Sequence, residues 1–425
     1  MQSICTALPA EPHRAPGLAI TQRSHFPAPG NQADFAENPQ ALSIALAILC
    51  IVLVALTLRP AIVSIGPLLP GMQQAFALSH TQASLLTAIP TLLMGLLALP
   101  TPWLARRFGR DRVILVALAV LCIATALRAF ADSIGLLFLS TAGVGAGIAV
   151  AGALIAGFVK ASYPEQAALL MGVYATALAL GSTVAAALTG PLTIEAASWR
   201  ISAGFWALPV VIAFMAWLYI ERQGRSHERS KAAGAAQPMP LRNPTAWLIA
   251  LFFACNNMIF YAYISWIAPM YVDFGRTPTS AGLILASFTL AFMIANPVFG
   301  LLSRNEDRRI ALAVSSGIAF VGILATAIAP QAVPFVMVPV IAFGTGGAFT
   351  LGMTLPLDNA RSSAEANAWN AMVLLFAYVV AAAGPLLMGY LRDATGSFQP
   401  SLWLMAGVSL TMVILTPFLK PYLHK

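Results

Sequence analysis

The chain has 425 residues, of which 59% are hydrophobic and only 9% charged, with a mean hydropathy of +0.81. This excludes an ordinary soluble domain and describes a polytopic membrane protein. The net charge of +8 comes without long basic patches interleaved with aromatics, so it marks loops on one side of a bilayer and gives no reason to expect a nucleic-acid partner.

In chain order, residues 1–41 read as a disordered N-terminal tail: Met1 to Asn38 is polar and holds no apolar core long enough for a signal peptide. Apolar segments follow near 42–69, 84–104, 113–130, 134–159, 166–188 and 201–220. A polar link, 221–244, contains Arg222, Arg225, Arg229, Lys231 and Arg242. The second half repeats the pattern near 245–271, 280–302, 310–329, 334–357, 366–388 and 402–418, before a short tail, 419–425. The expected fold is an all-α membrane protein of twelve transmembrane helices in two pseudo-symmetric six-helix bundles, 42–220 and 245–418.

Arg59 lies inside the first apolar run. If one helix covers Leu42 to about Leu69, Arg59 sits roughly 25 Å along a helix of about 40 Å. A guanidinium there costs from about 3 to well over 10 kcal/mol, so it normally faces a watered cavity or a charged partner. No carboxylate lies in the run. On the other reading Leu42–Leu58 spans alone and Arg59 snorkels to the interface, which leaves apolar Ala61–Leu69 with nowhere to be buried. Pro60, Gly66, Pro67 and Pro70 suit a bent helix beside a cavity.

The basic residues give the orientation. With the N-terminus inside, the inner loops hold Arg106, Arg107, Arg110, Arg112, Lys160, the central link, Arg304, Arg308, Arg309 and Arg361, and the C-terminal tail adds Lys420 and Lys425. The outer loops hold Arg128, Arg200, Arg276 and Arg392. The positive-inside rule then predicts a cytoplasmic (inner) membrane protein with both termini cytoplasmic.

The halves resemble each other. The stretch Pro102 to Arg112 follows the second segment and Gly300 to Arg309 follows the eighth, with Arg304 lying 198 residues after Arg106. Gly143 and Gly145 in the fourth segment answer Gly344 and Gly346 in the tenth. Two related six-helix halves with a site between them is a transporter architecture.

On these features the chain resembles the major facilitator superfamily. That superfamily's loop signature runs Gly, Asp four residues on, Arg or Lys, any residue, Gly, then basic residues. The first copy has Arg107, Gly109, Arg110 and Arg112 in place, but Pro102 and Arg106 where Gly and Asp are expected. The second keeps Gly300, Arg308 and Arg309, with Arg304 and Asp307 in the Asp and Gly positions. This shared departure, with Leu58-Arg59-Pro60, Ser64 to Pro70, Phe260-Tyr261, Trp266 to Pro269 and Gly346 to Phe349, is similar to the cyanate/nitroimidazole transporter branch.

The resemblance implies that helices 1, 4, 7 and 10 line a central cavity. Substrate-binding candidates are therefore Arg59 and Ser64 in the first segment, and Asn256, Asn257, Tyr261, Tyr263 and Trp266 in the seventh. Phe349, Thr350 and Thr354 come from the tenth. Asn257, Tyr261 and Ser265 step by four and share a face, while Asn256 and Tyr263 share another. Amides and phenols suit a small planar anion, and rings could stack on a heteroaromatic one; the plain reading of each is interhelical packing. Asn367, Asn370 and Tyr378 in the eleventh are weaker candidates. The basic loops, Arg106, Arg107, Gly109, Arg110, Arg304, Asp307, Arg308 and Arg309, look like a latch holding the outward-open state.

No enzyme site can be assembled, because every His lies in a tail or loop and every Asp or Glu in a tail, loop or helix end. Cys5, Cys50, Cys122 and Cys255 fall singly, so neither a metal site, a disulfide framework nor a cofactor is expected. The expected function is alternating-access movement of a small anionic or polar planar solute, cyanate-like or nitroimidazole-like, by a monomer in a lipid bilayer. A multidrug-type exporter and a non-transporting sensor are the alternatives.

Overall fold

The computed structural model describes residues 44–162, 166–195, 198–222, 238–303, 307–360 and 362–420. The tail 1–41, most of the link, Arg304, Arg361 and the last five residues, which include Lys425, lie outside the described residues.

In the first half, α1 (Ile44–Leu58), α2 (Pro60–Val63) and α3 (Ile65–Phe76) make the first span, and α4 (His80–Leu96) with α5 (Thr101–Phe108) the second. α6 (Arg110–Leu127), closed by a 3-10 turn Arg128–Phe130, is the third. α7 (Ile134–Ser162) and α8 (Ala167–Glu195) are the fourth and fifth, and α9 (Trp199–Phe205) with α10 (Ala207–Arg222) the sixth. In the second half, α11 (Pro244–Asp273), α12 (Pro278–Leu302), α13 (Arg309–Ile328) and α14 (Pro334–Asn359) are single spans. α15 (Ser363–Ala381) with α16 (Ala383–Thr395) forms the eleventh, and α17 (Gln399–Leu415) the twelfth. Among the described residues eleven stretches are each long and apolar enough to cross a bilayer, and the pair α4 and α5, bent by 64°, supplies the twelfth span.

Proline chemistry explains where the structure departs from the expected segments. The first span is not one helix over 42–69: it runs to Phe76 and breaks at Arg59 and Ser64. Pro60 and Pro67 lack the N–H groups that Leu56 and Val63 carbonyls would otherwise receive, so the ladder lapses twice. Likewise 84–104 is not continuous, because Pro100 and Pro102 remove two donors and the chain turns into α5. Just before Gly384-Pro385, where Pro385 has no N–H for the Ala381 carbonyl, α15 gives way to α16.

The glycines that answer each other in sequence do the same work in space. A Cβ on Gly143 would lie 2.8 Å from Ala124 of the third span, and one on Gly145 2.6 Å from Pro90 of the second. In the second half, one on Gly344 would strike Ala319 of the ninth span and one on Gly346 would lie 2.8 Å from the Phe292 carbonyl of the eighth. Each pair lets the fourth or tenth helix approach its own half's backbone. Gly147 packs as closely on Ala117 and Leu121, whereas Gly157 meets nothing within 4 Å.

The seventh span is the centre of the bundle: 83% of its most apolar stretch is buried, against at most 67% in the other ten of the eleven apolar stretches. One buried cluster, with Ile51, Leu118, Ile155 and Trp217, stays inside the first half. The other runs from Ile65, Leu68 and Met72 of α3 into the seventh span, joining the halves at the end opposite the basic loops.

Candidate functional site

Arg59 caps the four-residue turn α2, and its side chain crosses to the second half. Nη1 donates to Tyr261 Oη at 2.8 Å, about midway along α11. Tyr261 Oη in turn donates to Met94 Sδ of α4 at 3.7 Å, and its ring lies 6.1 Å from that of Tyr378 in α15. Tyr378 and Tyr174 of α8 complete a tyrosine wall within electrostatic reach of the guanidinium. The Tyr174 hydroxyl sits over Gly152, 3.5 Å from where a Cβ would be. Among the described residues no carboxylate lies within 4 Å of Arg59. The arrangement is a partly accessible cation flanked by phenols and a thioether, a set that offers hydrogen-bond donors to an anion and flat faces to a planar one.

The other sequence candidates fall around this centre. Asn257 Nδ2 and Ser265 Oγ donate to carbonyls of their own helix, Phe253 and Tyr261, at 2.8 and 2.7 Å. Ser64, at the second break, is buried. Asn256 is 0% exposed and neither amide atom has a partner, while the Tyr263 hydroxyl is also unpartnered and its ring stacks on Phe288 at 6.1 Å. Phe349 packs on Phe253 and Phe292, Thr350 donates to Asn296 at 3.0 Å, and Thr354 bonds the Leu351 carbonyl. The structure thus brings Arg59 and Tyr261 together and adds Tyr378, Tyr174 and Met94. Tyr174 and Met94 stand on the fifth and second spans, outside the four helices that the resemblance pointed to.

Trp266 belongs to a different place. At the end opposite the basic loops its Nε1 donates to the Pro385 carbonyl at 3.0 Å, and its ring packs near His80 and Phe398. Here Asp393 of α16 ties the halves together. Its carboxylate accepts from the backbone N–H of His80 at 2.9 Å, that of Thr81 at 2.8 Å, the Thr81 hydroxyl at 2.7 Å and the His80 ring at 2.7 Å. The first two donors are orphans of the α4 N-terminus, whose next N–H is capped by Ser79 of its own half.

At the basic end, the contacts of Arg107, Arg110, Arg308 and Arg309 lie within their own halves. Arg106 and Arg107 are exposed, with Arg107 near the Trp103 and Phe108 rings, and Gly109 takes φ +89° in the turn into α6. Arg110 lies over Phe158 at 4.6 Å and approaches Asp111 at 3.6 Å. Arg308 ties its loop to the end of α14 through Asp358 at 2.7 Å and also bonds Ser303. Arg309 clamps Asp307 at 2.6 Å, and these hydrogen bonds hold the Asp307 carboxyl below the usual carboxylate range.

One residue departs from its expected place. Arg128, assigned to an outer loop, is 1% exposed, with Nη1 donating to the Ala61 carbonyl at 2.5 Å and Nη2 to Thr141 Oγ1 at 3.4 Å. Hydropathy places a charge at a helix end in a loop, and does not see that a long side chain can fold back into the bundle.

The family model described as Major Facilitator Superfamily matches residues 44–382 and 268–424. The cyanate transport protein CynX of Escherichia coli (strain K12) is 29% identical over 356 residues, 83% of this chain and 91% of its own length. The 2-nitroimidazole transporter of the same organism is 30% identical over 369 residues, covering 86% and 92%. A nitrite extrusion protein of Bacillus subtilis (strain 168) is 24% identical over 349 residues, covering 80% and 85%. Among solved structures, a bacterial homolog to the human lysosomal transporter Spinster, in an inward-facing and unoccupied conformation, superposes with a TM-score of 0.72. It covers 88% of this chain and 96% of its own at 18% identity, a likeness of fold alone.

Proposed function

We propose that this chain, which belongs to the major facilitator superfamily and is a multi-pass membrane transporter and not an enzyme, moves a small planar anion or strongly dipolar solute by alternating access with Arg59 as its ligand. The observation that carries this reading is the guanidinium of Arg59, set between the halves, bonded to a phenol of the opposite half and without a carboxylate. A cation left uncompensated at membrane depth is costly, and a bound anion removes the cost. The relatives support the class, being named for cyanate, 2-nitroimidazole and nitrite, all small, conjugated and rich in acceptors. A bulky hydrophobic solute would leave the guanidinium and hydroxyls unpaired. The test is purified protein in liposomes, assayed for saturable uptake of cyanate, nitrite and nitrate. Uptake no faster than in empty vesicles for every anion in the set would refute the reading.

The energy source follows from which groups line the site. A guanidinium keeps its proton at ordinary pH, and Asp307 and Asp358, two of the carboxylates at the basic end, are paired with Arg309 and Arg308. An anion crossing alone is driven outward by an inside-negative potential, at about 2.3 kcal/mol per charge per 100 mV. Uptake then needs a steep gradient, consumption inside, exchange, or a proton carried on the substrate. With a non-titrating substrate and a pH-sensitive dye, transport is expected to proceed without proton flux. Flux locked to transport and abolished by Asp307→Asn or Asp358→Asn would overturn this.

The protein is read as a monomer in the cytoplasmic membrane, with its basic end, the link and both termini inside. In a background lacking the native cysteines, a Cys at Ser226 should resist a membrane-impermeant thiol reagent added to intact cells and react after permeabilisation. Reaction in intact cells would reverse the orientation.

A further inference from the structure

We infer that Arg128 is a positioning residue for Arg59, holding from behind the short turn whose end presents the guanidinium to the cavity; this rests on the reading of Arg59 as anion ligand. α2 has only four residues, Pro60–Val63, far too few to be stable as an isolated helix. It is separated from α1 and α3 by the two breaks, and Arg59 is its N-cap, with its own carbonyl accepting from Ile62 N and Val63 N at 3.0 Å each. The orientation of this turn sets where the Arg59 side chain points, so something outside the turn must fix it.

Arg128 is placed to do so. Its Nη1 bonds the carbonyl of Ala61, within the turn, while Nη2 reaches Thr141 in α7. Thr141 spends its own proton on the Leu137 carbonyl at 2.8 Å and so has lone pairs free for the guanidinium. The tether therefore runs from the third span through the turn of the first to the fourth, entirely inside the first half, while Arg59 points across to Tyr261 in the second.

The chemistry is more than a neutral cap would require. Arg128 is 1% exposed, its Nε has no partner, and among the described residues no carboxylate lies within 4 Å of it. A cation beside the carbonyl end of a helical turn is favourably placed, and a charged donor makes a stronger, more directional bond than an amide. A planar fork that holds two elements at once also cannot slide as a single-donor cap can.

The test uses full-length protein in liposomes and the anion that the wild type carries among cyanate, nitrite and nitrate, with folded carrier quantified by gel filtration. Arg128→Met and Arg128→Gln are expected to raise KM about tenfold, the effect of losing one charged hydrogen bond, with Vmax per folded carrier unchanged. Arg128→Lys, which keeps the charge but not the planar fork, should fall between them and the wild type. A merely structural residue would lower the folded fraction and leave KM alone, and that result overturns the inference. Should neither neutral variant fold, Arg128→Lys decides by the same criterion of KM against Vmax. Arg59→Ala separates the two levels. If it leaves KM at the wild-type value, the reading of Arg59 fails. If it abolishes transport while the Arg128 variants keep wild-type KM, the inference alone fails.

Discussion

Arg59→Ala is expected to cost at least about thirtyfold in affinity for the transported anion, because truncating one partner of a buried, hydrogen-bonded charge pair costs about 2–5 kcal/mol. The protein should still fold. Arg59 makes its bond to Tyr261 Oη across the halves, and the buried phenol keeps its contact with Met94 and faces the space that the truncation opens. Arg59→Lys keeps the charge but loses the fork and is expected to lose about tenfold. Tyr261→Phe removes a donor that a bound anion would share with Arg59 and should be the mildest of the three. Tryptophan fluorescence titration of purified protein, beside liposome uptake, measures all three. Wild-type affinity in Arg59→Ala would return the residue to a snorkelling role.

Asp393→Ala is expected to unseal the end of the bundle opposite the basic loops. Four hydrogen bonds from His80 and Thr81 converge on this one carboxylate, and all of them join one half to the other. A net loss of about 1.5–3 kcal/mol, the worth of a single hydrogen bond to a charged group, already moves a two-state equilibrium by about tenfold or more. The same carboxylate also complements the positive end of α4, which its removal leaves to water. A Cys at Ser265, buried on the sealed side of Tyr261, should then react at least about tenfold faster with an impermeant thiol reagent applied from outside. Asp393→Asn, which keeps one acceptor oxygen, should fall between. An unchanged labelling rate in Asp393→Ala would mean that the remaining contacts between the halves, such as the Ser84 hydroxyl on the Pro385 carbonyl and the apolar packing of α3 on the seventh span, hold the seal without it.

What could be read from the sequence was whatever leaves a local or periodic trace. Hydropathy gave the spans, the repeated glycines gave two halves, and a cation in an apolar run with prolines after it gave Arg59 at a bent helix. The breaks at Ser64 and after Leu96 were harder, because a missing N–H frees a carbonyl four residues earlier and several prolines in one run leave the site of failure to tertiary contacts. The pairing of Asp393 with His80 and Thr81 joins residues more than 300 positions apart and has no local signature. Arg128 was misread because its charge is visible in sequence and its direction is not. Tyr174 and Met94 were missed for a simpler reason: a phenol or a thioether costs too little inside a bundle to stand out from packing.

The contact between Tyr261 and Met94 bears on how the vacant carrier is kept ready. Sulfur in a thioether is a weak acceptor, so the hydroxyl that leans on it at 3.7 Å gives up little when an oxygen or nitrogen anion arrives and takes the proton instead. A carboxamide or carboxylate in place of Met94 would hold that proton firmly, and a visiting anion would have to win it in competition. On the proposed reading, the methionine keeps the phenol occupied but unattached, like a door on a light spring: closed when no one passes, and adding almost nothing to the effort of entry.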